Sequence, residues 1–258
     1  MFFDSIFGTF GDGYMCFEDE FALKQFLRNM KVIGRGAQGV CYSNGVYVFK
    51  IFYDELAALS QINLDTLRTL SFLTNDTFLF SNDIIWVRDK FCGTVMPYRK
   101  GYNLYEIDPL SVPLLFFVSC VKKNLEDLKT ISHFGVEIQD LFCNMLLGDH
   151  MFVVDTQDYR INEPSLYVEN FNLSIYQQAI MSFLIDGCFE KFVSTVPYLR
   201  KMYKSYENEG SILEFLQIFQ KELSELVGAP ILTLEDAKEC LDDAYTCKKF
   251  SKNYRNFK

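Results

Sequence analysis

Residues 33–50 read IGRGAQGVCYSNGVYVFK, and this stretch decides the fold of the first part of the chain. The pair Asn44-Gly45 separates two runs rich in β-branched and aromatic residues, at 40–42 and 46–48. A two-residue hairpin turn needs positive φ at both central positions, which asparagine and glycine accept. The stretch therefore predicts a β-hairpin, and residues 31–53 as a whole read as strands.

Three glycines, Gly34, Gly36 and Gly39, precede this hairpin in a G-x-G-x-x-G pattern. In a dinucleotide-binding fold the same pattern opens a helix, and a Walker loop would continue into Gly-Lys-Ser/Thr, which this chain lacks. A glycine loop between antiparallel strands can instead lie over the phosphates of a nucleotide, because its backbone N–H groups approach the charge unhindered. The alternative is an ordinary glycine turn.

Lys50 stands in the middle of the strand that follows the hairpin, between apolar neighbours. Burying an ammonium group is costly unless it meets an anion, so this position favours a lysine that pairs with phosphate. The alternative is an edge-strand lysine that deters aggregation.

The rest of the sequence predicts a small sheet followed by a largely helical part. Further strand patterns lie at 84–87 and 92–96, and spaced leucines along 64–73 predict a helix between the strand groups. A strand pattern at 151–154 interrupts the second half. Helical patterns cover 112–130, 173–186, 211–227 and 234–245. We expect an α+β protein with two domains, residues 1–98 and 99–258.

Three polar residues in the second half stand among apolar neighbours. Asp140 and Asn144 can take a hydroxyl proton and hold a metal ion, respectively. Asp155 ends the strand pattern at 151–154, where a carboxylate suits Mg²⁺, which accepts one or two carboxylates plus phosphate oxygens. Each of the three could alternatively be a capping residue.

In chain order, the glycine loop, the strand lysine, the Asp140 and Asn144 pair and the strand-ending Asp155 resemble the protein-kinase-like superfamily. The resemblance covers roughly residues 30–186. It implies a bilobal fold, with a small antiparallel-sheet N-lobe and a mostly helical C-lobe, in a compact, divergent kinase of bacterial type.

The resemblance also implies roles for particular residues. The glycine loop and Lys50 would bind the phosphates of ATP, while Asp140 would be the catalytic base. Asn144 and Asp155 would hold Mg²⁺. Met96 and Tyr98, in the segment 95–98, stand where the hinge receives adenine.

The chain departs from the superfamily pattern at several positions. Ile138 replaces the histidine two residues before the catalytic aspartate, Phe142 replaces the usual lysine, and Gln157 replaces the glycine of the Asp-Phe-Gly segment. The spacing from Asp140 to Asn144 is one residue shorter than usual. The acidic helix partner of the lysine is expected to be Asp65, with Glu55 as the alternative.

Composition limits the possible partners. The chain has 258 residues, of which 49% are hydrophobic, so it can bury a large core. Its formal net charge of −9 repels phosphate backbones, which argues against nucleic-acid binding. We expect no membrane span, reduced cysteines and a cytoplasmic location, in its own cell or in a host cell if delivered there. Monomer and homodimer both remain open.

These observations favour an ATP- and Mg²⁺-dependent kinase that phosphorylates a protein hydroxyl. One alternative is a small-molecule kinase of the antibiotic- or choline-phosphorylating type. Another is a pseudokinase that serves as a nucleotide-binding interaction module. Transfer of AMP rather than phosphate is a minor variant.

Overall fold

The computed structural model describes residues 14–107, 111–183, 212–233 and 236. Over these residues the chain is an α+β protein, with a mixed six-stranded sheet in its first part and several helices after it. The predicted fold class is therefore confirmed at the level of α+β.

The six-stranded sheet carries the glycine loop and Lys50. Its spatial order is β1-β5-β6-β4-β3-β2. The strands are β1 Tyr14–Phe17, β2 Lys31–Arg35, β3 Gly39–Ser43, β4 Tyr47–Phe52, β5 Asp83–Val87 and β6 Lys90–Pro97. Lys50 thus lies on β4, which is flanked by β3 and β6 and is a central strand rather than an edge strand.

The expectation of an antiparallel sheet is wrong at one edge, because β1 pairs with β5 in parallel. Strand β1 and helix α1 (Glu20–Leu27) precede the glycine loop, and the sequence pattern did not predict them. Their apolar side chains, such as Phe17 and Leu23, pack with Phe49 and Ile85 of the sheet in one buried cluster. Burial of these side chains stabilises the pairing of β1 with the sheet, although β1 has only four residues.

The predicted hairpin is confirmed, but its turn lacks the expected positive φ at two central residues. Strands β3 and β4 are joined by residues 44–46, and only Gly45 has positive φ, at +90°. The Asn44 side chain supports the turn instead, because its Oδ1 accepts from the N–H groups of Val46 and Tyr47 at 2.9 and 2.8 Å.

Two short helices connect β4 to β5. Helix α2 (Glu55–Leu59) begins at Asp54, whose Oδ1 accepts from the N–H of Ala57 at 2.9 Å. Helix α3 (Leu64–Leu70) begins at Asn63 and matches the helix predicted over 64–73. The buried side chains of Leu67 and Leu70 explain the leucine spacing of that prediction.

Within the described residues, three longer helices follow: α4 (Leu114–His133), α5 (Leu166–Met181) and α6 (Ile212–Val227). Helices α4 and α6 match the patterns at 112–130 and 211–227. Helix α5 begins seven residues before the pattern predicted, because it is buried on several sides and its amphipathic periodicity is weak. The helix expected at 234–245 lies outside the described residues, apart from Asp236.

Short strands before and after α4 build the region around Asp140 and Asp155. Strands β7 (Tyr102–Asn103), β9 (Met145–Leu147) and β10 (Met151–Val153) form one small sheet. Strand β10 confirms the strand pattern at 151–154. Strands β8 (Val136–Glu137) and β11 (Arg160–Ile161) pair antiparallel. The apolar core beneath them includes Phe117, Val136, Ile138, Met145 and Tyr176.

Within the described residues, no helix combines the length and the apolar character needed to cross a membrane. The described cysteines, Cys16, Cys41, Cys92, Cys120 and Cys143, are all free thiols.

Candidate functional site

The glycine loop is the turn between β2 and β3, and it is closed by a hydrogen bond from the Gly36 N–H to the Gly39 carbonyl at 3.0 Å. Gly39 is buried against β4, and a Cβ there would lie 2.1 Å from the Ile51 carbonyl oxygen. A Cβ on Gly36 would meet nothing within 4 Å, and one on Gly34 only the Cys41 Cβ at 4.0 Å. Gly39 is therefore required for close strand approach, whereas no described contact requires glycine at position 36.

Lys50 is 6% exposed and extends from β4 beneath this loop. Its Nζ donates to Gln38 Oε1 at 2.7 Å and to Asp155 Oδ1. The contact with Asp155 joins residues 105 apart in sequence and brings the sheet to the segment after β10. The buried ammonium group thus meets a carboxylate, as its position in an apolar strand requires.

Asp155 follows β10 in the left-handed conformation, with φ of +62°. Its Oδ1 accepts from Lys50 Nζ and from Gln157 Nε2. Within the described residues Oδ2 has no hydrogen-bond donor, and the side chain is 30% exposed. Left-handed backbone at a non-glycine residue is characteristic of functional sites, where surrounding structure holds it in place.

Asp140 and Asn144 lie on one loop beside Asp155. Asp140 is exposed and has φ of +37°. Asn144 Nδ2 donates to the Asp140 carbonyl at 2.7 Å, and the Asn144 carbonyl accepts from the Val154 N–H at 2.9 Å. The second bond sets the loop next to the residue that precedes Asp155, so the three predicted polar residues lie in one region.

Two side-chain oxygen atoms of this region are of the type that could hold a magnesium ion. Within the described residues, neither Asn144 Oδ1 nor Asp155 Oδ2 accepts a hydrogen bond, because Asn144 is bonded through Nδ2 and Asp155 through Oδ1. Among the described residues, no three His, Cys, Asp or Glu side chains form a metal-binding cluster. Mg²⁺ is commonly held by one or two protein carboxylates together with substrate phosphates, which this arrangement allows.

A buried asparagine that the sequence analysis did not identify holds the chain before Asp140. Asn172 on α5 is fully buried, and its Oδ1 accepts from the Ile138 N–H at 2.9 Å. Its Nδ2 donates to the Val136 carbonyl at 2.7 Å and to Ser132 Oγ at 2.8 Å. No local sequence signal distinguishes it, because Glu169, Asn170 and Ser174 are polar residues close to it in the same helix. Ile138 is itself fully buried in the apolar core.

Gln157 and Asp158 lie next to Asp155. Gln157 is 1% exposed, and its amide orients the Asp155 carboxylate. Burial raises the pKa of Asp158, and the negative charge of Asp155 raises it further. Burial likewise raises the pKa of the Cys41 thiol on the neighbouring strand. Burial therefore disfavours the charged forms of these two side chains.

The predicted adenine contacts lie where β6 ends. Met96 is buried and pairs with Val48 of β4. The Tyr98 N–H donates to the Val46 carbonyl at 2.8 Å, so it is not available to a base. In a trans peptide the preceding carbonyl, that of Pro97, points the opposite way, away from β4. The Pro97 carbonyl and the next N–H, that of Arg99, are the backbone groups left for an adenine ring.

The structure does not bring Asp65 to Lys50. Asp65 lies exposed in the first turn of α3, and within the described residues no ion pair joins it to Lys50. Glu55, the alternative, is also engaged elsewhere, because its Oε1 accepts from the Phe91 N–H at 2.9 Å. The neutral partner of Lys50 is Gln38, which no local sequence pattern predicted.

Comparison with known proteins identifies no relative: no family model matches the chain, and no curated protein matches it. The assignment of the site therefore depends on its geometry. Four residues chosen from sequence, Lys50, Asp140, Asn144 and Asp155, lie on elements that meet at one site.

Proposed function

We propose that the chain is an ATP- and Mg²⁺-dependent phosphotransferase of the protein-kinase-like superfamily, with a bilobal fold, that phosphorylates a hydroxyl group of a protein. The observation that carries this proposal is the contact of buried Lys50 with Asp155, beside the loop that bears Asp140 and Asn144. Phosphoryl transfer requires a lysine for phosphate, two oxygen ligands for Mg²⁺ and an exposed carboxylate.

Nucleotide would lie between the sheet and the Asp140 loop. The ammonium group of Lys50 would contact phosphate oxygens, and the backbone N–H groups of the glycine loop would cover them. Asp155 and Asn144 would hold Mg²⁺, which neutralises charge on the transferring group. The Pro97 carbonyl and the Arg99 N–H would contact adenine.

Asp140 would act on the acceptor. Its exposed carboxylate orients the acceptor hydroxyl and takes its proton while the hydroxyl oxygen bonds to the γ-phosphorus. The bond from the γ-phosphorus to the bridging oxygen breaks, and ADP leaves with the bonding electrons. The bond from Asn144 Nδ2 to the Asp140 carbonyl fixes the loop backbone. This support compensates for the short spacing between the two residues.

A protein acceptor is supported by the open side of the site. Asp140 and Cys143 are exposed on this side. Residues 156–165 alone connect Asp155 to α5. No described segment encloses the Asp140 carboxylate, whereas a small-molecule kinase surrounds its substrate.

Nucleotide binding is tested with Lys50→Ala, with Lys122→Ala on the exposed side of α4 as a matched control. We expect the first variant to bind ATP at least about tenfold more weakly, because a charge-assisted contact to phosphate is lost. Calorimetric titration measures the dissociation constant, and thermal melting checks the fold. Equal ATP affinity in a folded Lys50→Ala protein would refute the proposal.

The metal and base roles need separate variants. Asp155→Asn should remove the extra thermal stabilisation that Mg²⁺ adds to ATP, because the charged ligand is gone. Asp140→Asn should bind ATP normally but lose phosphate transfer by orders of magnitude. Transfer is measured with γ-labelled ATP and a cell lysate. Normal transfer by Asp140→Asn would remove the base assignment.

A pseudokinase is the second candidate, and one observation favours it. Lys50 and Gln157 both donate to Asp155 Oδ1, so the groups meant for phosphate and metal already satisfy one another. A nucleotide then competes with an internal ion pair. ATP binding without transfer to any lysate protein, in the wild type, would select this candidate.

A further inference from the structure

Gln38 is set apart from the rest of the glycine loop. Residues 31–37 are all exposed, but Gln38 is half-buried, with its side chain directed under the loop. Its Oε1 accepts from Lys50 Nζ at 2.7 Å, and its Nε2 donates to Gln61 Oε1. The Gln38 carbonyl also accepts from the Tyr53 N–H at 3.0 Å. One side chain thus joins the loop, Lys50 and the connection between α2 and α3.

Lys50 has no acidic partner from these helices, since Asp65 is exposed and Glu55 is bonded to the Phe91 N–H. We infer that Gln38 is a positioning residue that holds Lys50 for phosphate and couples it to the α2–α3 connection through Gln61. This inference rests on the proposed function, because it assigns a role within the same nucleotide site.

The direction of the amide follows from its two bonds. The ammonium group of Lys50 can only donate, so Gln38 Oε1 faces Lys50, and this leaves the NH₂ end of Gln38 to donate to Gln61 Oε1. The amide is therefore held at both ends. Gln157 Nε2 lies 3.5 Å from the same oxygen and belongs to the same polar group.

A neutral partner suits a lysine that must bind phosphate. An amide oxygen orients the ammonium group but leaves its positive charge uncompensated. Asp155 can then turn to Mg²⁺ while Lys50 keeps a fixed hydrogen bond. An ammonium group has three N–H donors, so contacts with Gln38 and a phosphate oxygen can be made together.

The variants separate the hydrogen bond from side-chain size. Gln38→Met keeps the length of the side chain but has no amide, whereas Gln38→Glu keeps an oxygen acceptor for Lys50. Gln61→Glu keeps the acceptor for Gln38, and Gln61→Met removes it. Gln178→Ala, on the exposed side of α5, is the control variant for the effect of a substitution in general. Thermal melting identifies any variant that is not folded.

Two measurements report the position of Lys50. In nucleotide-free protein, acetylation of Lys50 by N-hydroxysuccinimidyl acetate is followed by peptide mass spectrometry. We expect it to be about threefold or more faster in Gln38→Met, since one net hydrogen bond restrains the amine. The ATP dissociation constant should rise about tenfold in Gln38→Met and less in Gln61→Met. The dissociation constant should stay near the wild-type value in Gln61→Glu. In Gln38→Glu it should be closer to the wild-type value than in Gln38→Met.

The outcomes distinguish the inference from the proposed function. Tighter ATP binding by Gln38→Met would mean that Gln38 blocks the site, and this would overturn the positioning role. Unchanged acetylation and unchanged ATP affinity in Gln38→Met would also overturn it, even if Lys50→Ala loses ATP binding and the proposed function stands. If the wild type binds no ATP, the proposed function fails, and with it the phosphate role given to Gln38.

Discussion

Replacing Asn172 with alanine tests how far the candidate site depends on one buried side chain. The Asn172 amide makes three hydrogen bonds, to the Ile138 N–H, the Val136 carbonyl and Ser132 Oγ, at 2.7 to 2.9 Å. All of these groups lie in the interior. Alanine removes the three bonds and leaves two backbone groups of the chain before Asp140 without protein partners.

The expected cost follows from the number of orphaned groups. A buried donor or acceptor that loses its partner costs about 1–3 kcal/mol. Ser132 Oγ retains its bond to the Leu128 carbonyl at 2.7 Å, so Ile138 and Val136 carry most of the loss. We expect Asn172→Ala to lower the free energy of unfolding by about 3 kcal/mol. That is a large share of the roughly 5–15 kcal/mol typical of folded domains.

Urea unfolding followed by circular dichroism measures this change. Asn170→Ala, an exposed position on the same helix, is the matched control and should change stability by less than about 0.5 kcal/mol. Asn172→Asp keeps an acceptor for Ile138 but sets a carboxylate oxygen against the Val136 carbonyl, so it should also destabilise. If Asn172→Ala behaves like the control, the claim that this side chain anchors the Asp140 loop is wrong.

Three further predictions concern other parts of the molecule. Gly39→Ala should destabilise the fold strongly because its Cβ would lie 2.1 Å from the Ile51 carbonyl oxygen, whereas Gly36→Ala should not. Thermal melting of the two variants tests this prediction, and equal melting temperatures would contradict it. Burial lowers the pKa of His150 below 6.5, so on acidification the unfolded chain binds a proton at this histidine before the folded chain does. The free energy of unfolding should therefore fall as pH drops below about 6.5. Urea titrations at several pH values should show a smaller fall in His150→Gln than in the wild type. Burial raises the pKa of Asp158 above 3.8, so the contribution of its protonated form to stability is lost as pH rises through the folded-state pKa. Asp158→Asn should therefore melt at a higher temperature than the wild type at pH 7, and the difference should shrink near pH 4. A pH-independent difference would refute this explanation.

Much of the site was predictable because its residues are unusual in their local surroundings. Lys50 in an apolar strand, Asp155 at the end of an apolar strand and the Asp140 and Asn144 pair all stand out from neighbouring residues. Gln38 did not stand out, because a polar residue in a glycine-rich turn is unremarkable. Its role depends on contacts with Lys50 and Gln61, which are distant in sequence.

The sequence by itself determined two local elements: the hairpin at Asn44-Gly45 and helix α3 with its buried leucines. These features follow from backbone conformation and from periodic burial, which act over a few residues. Only the tertiary structure decided that β1 pairs in parallel with β5 and that Lys50 meets Gln38 and Asp155 rather than Asp65. Such pairings depend on how whole elements pack, and a buried charge bonds to whichever partner that packing brings within reach.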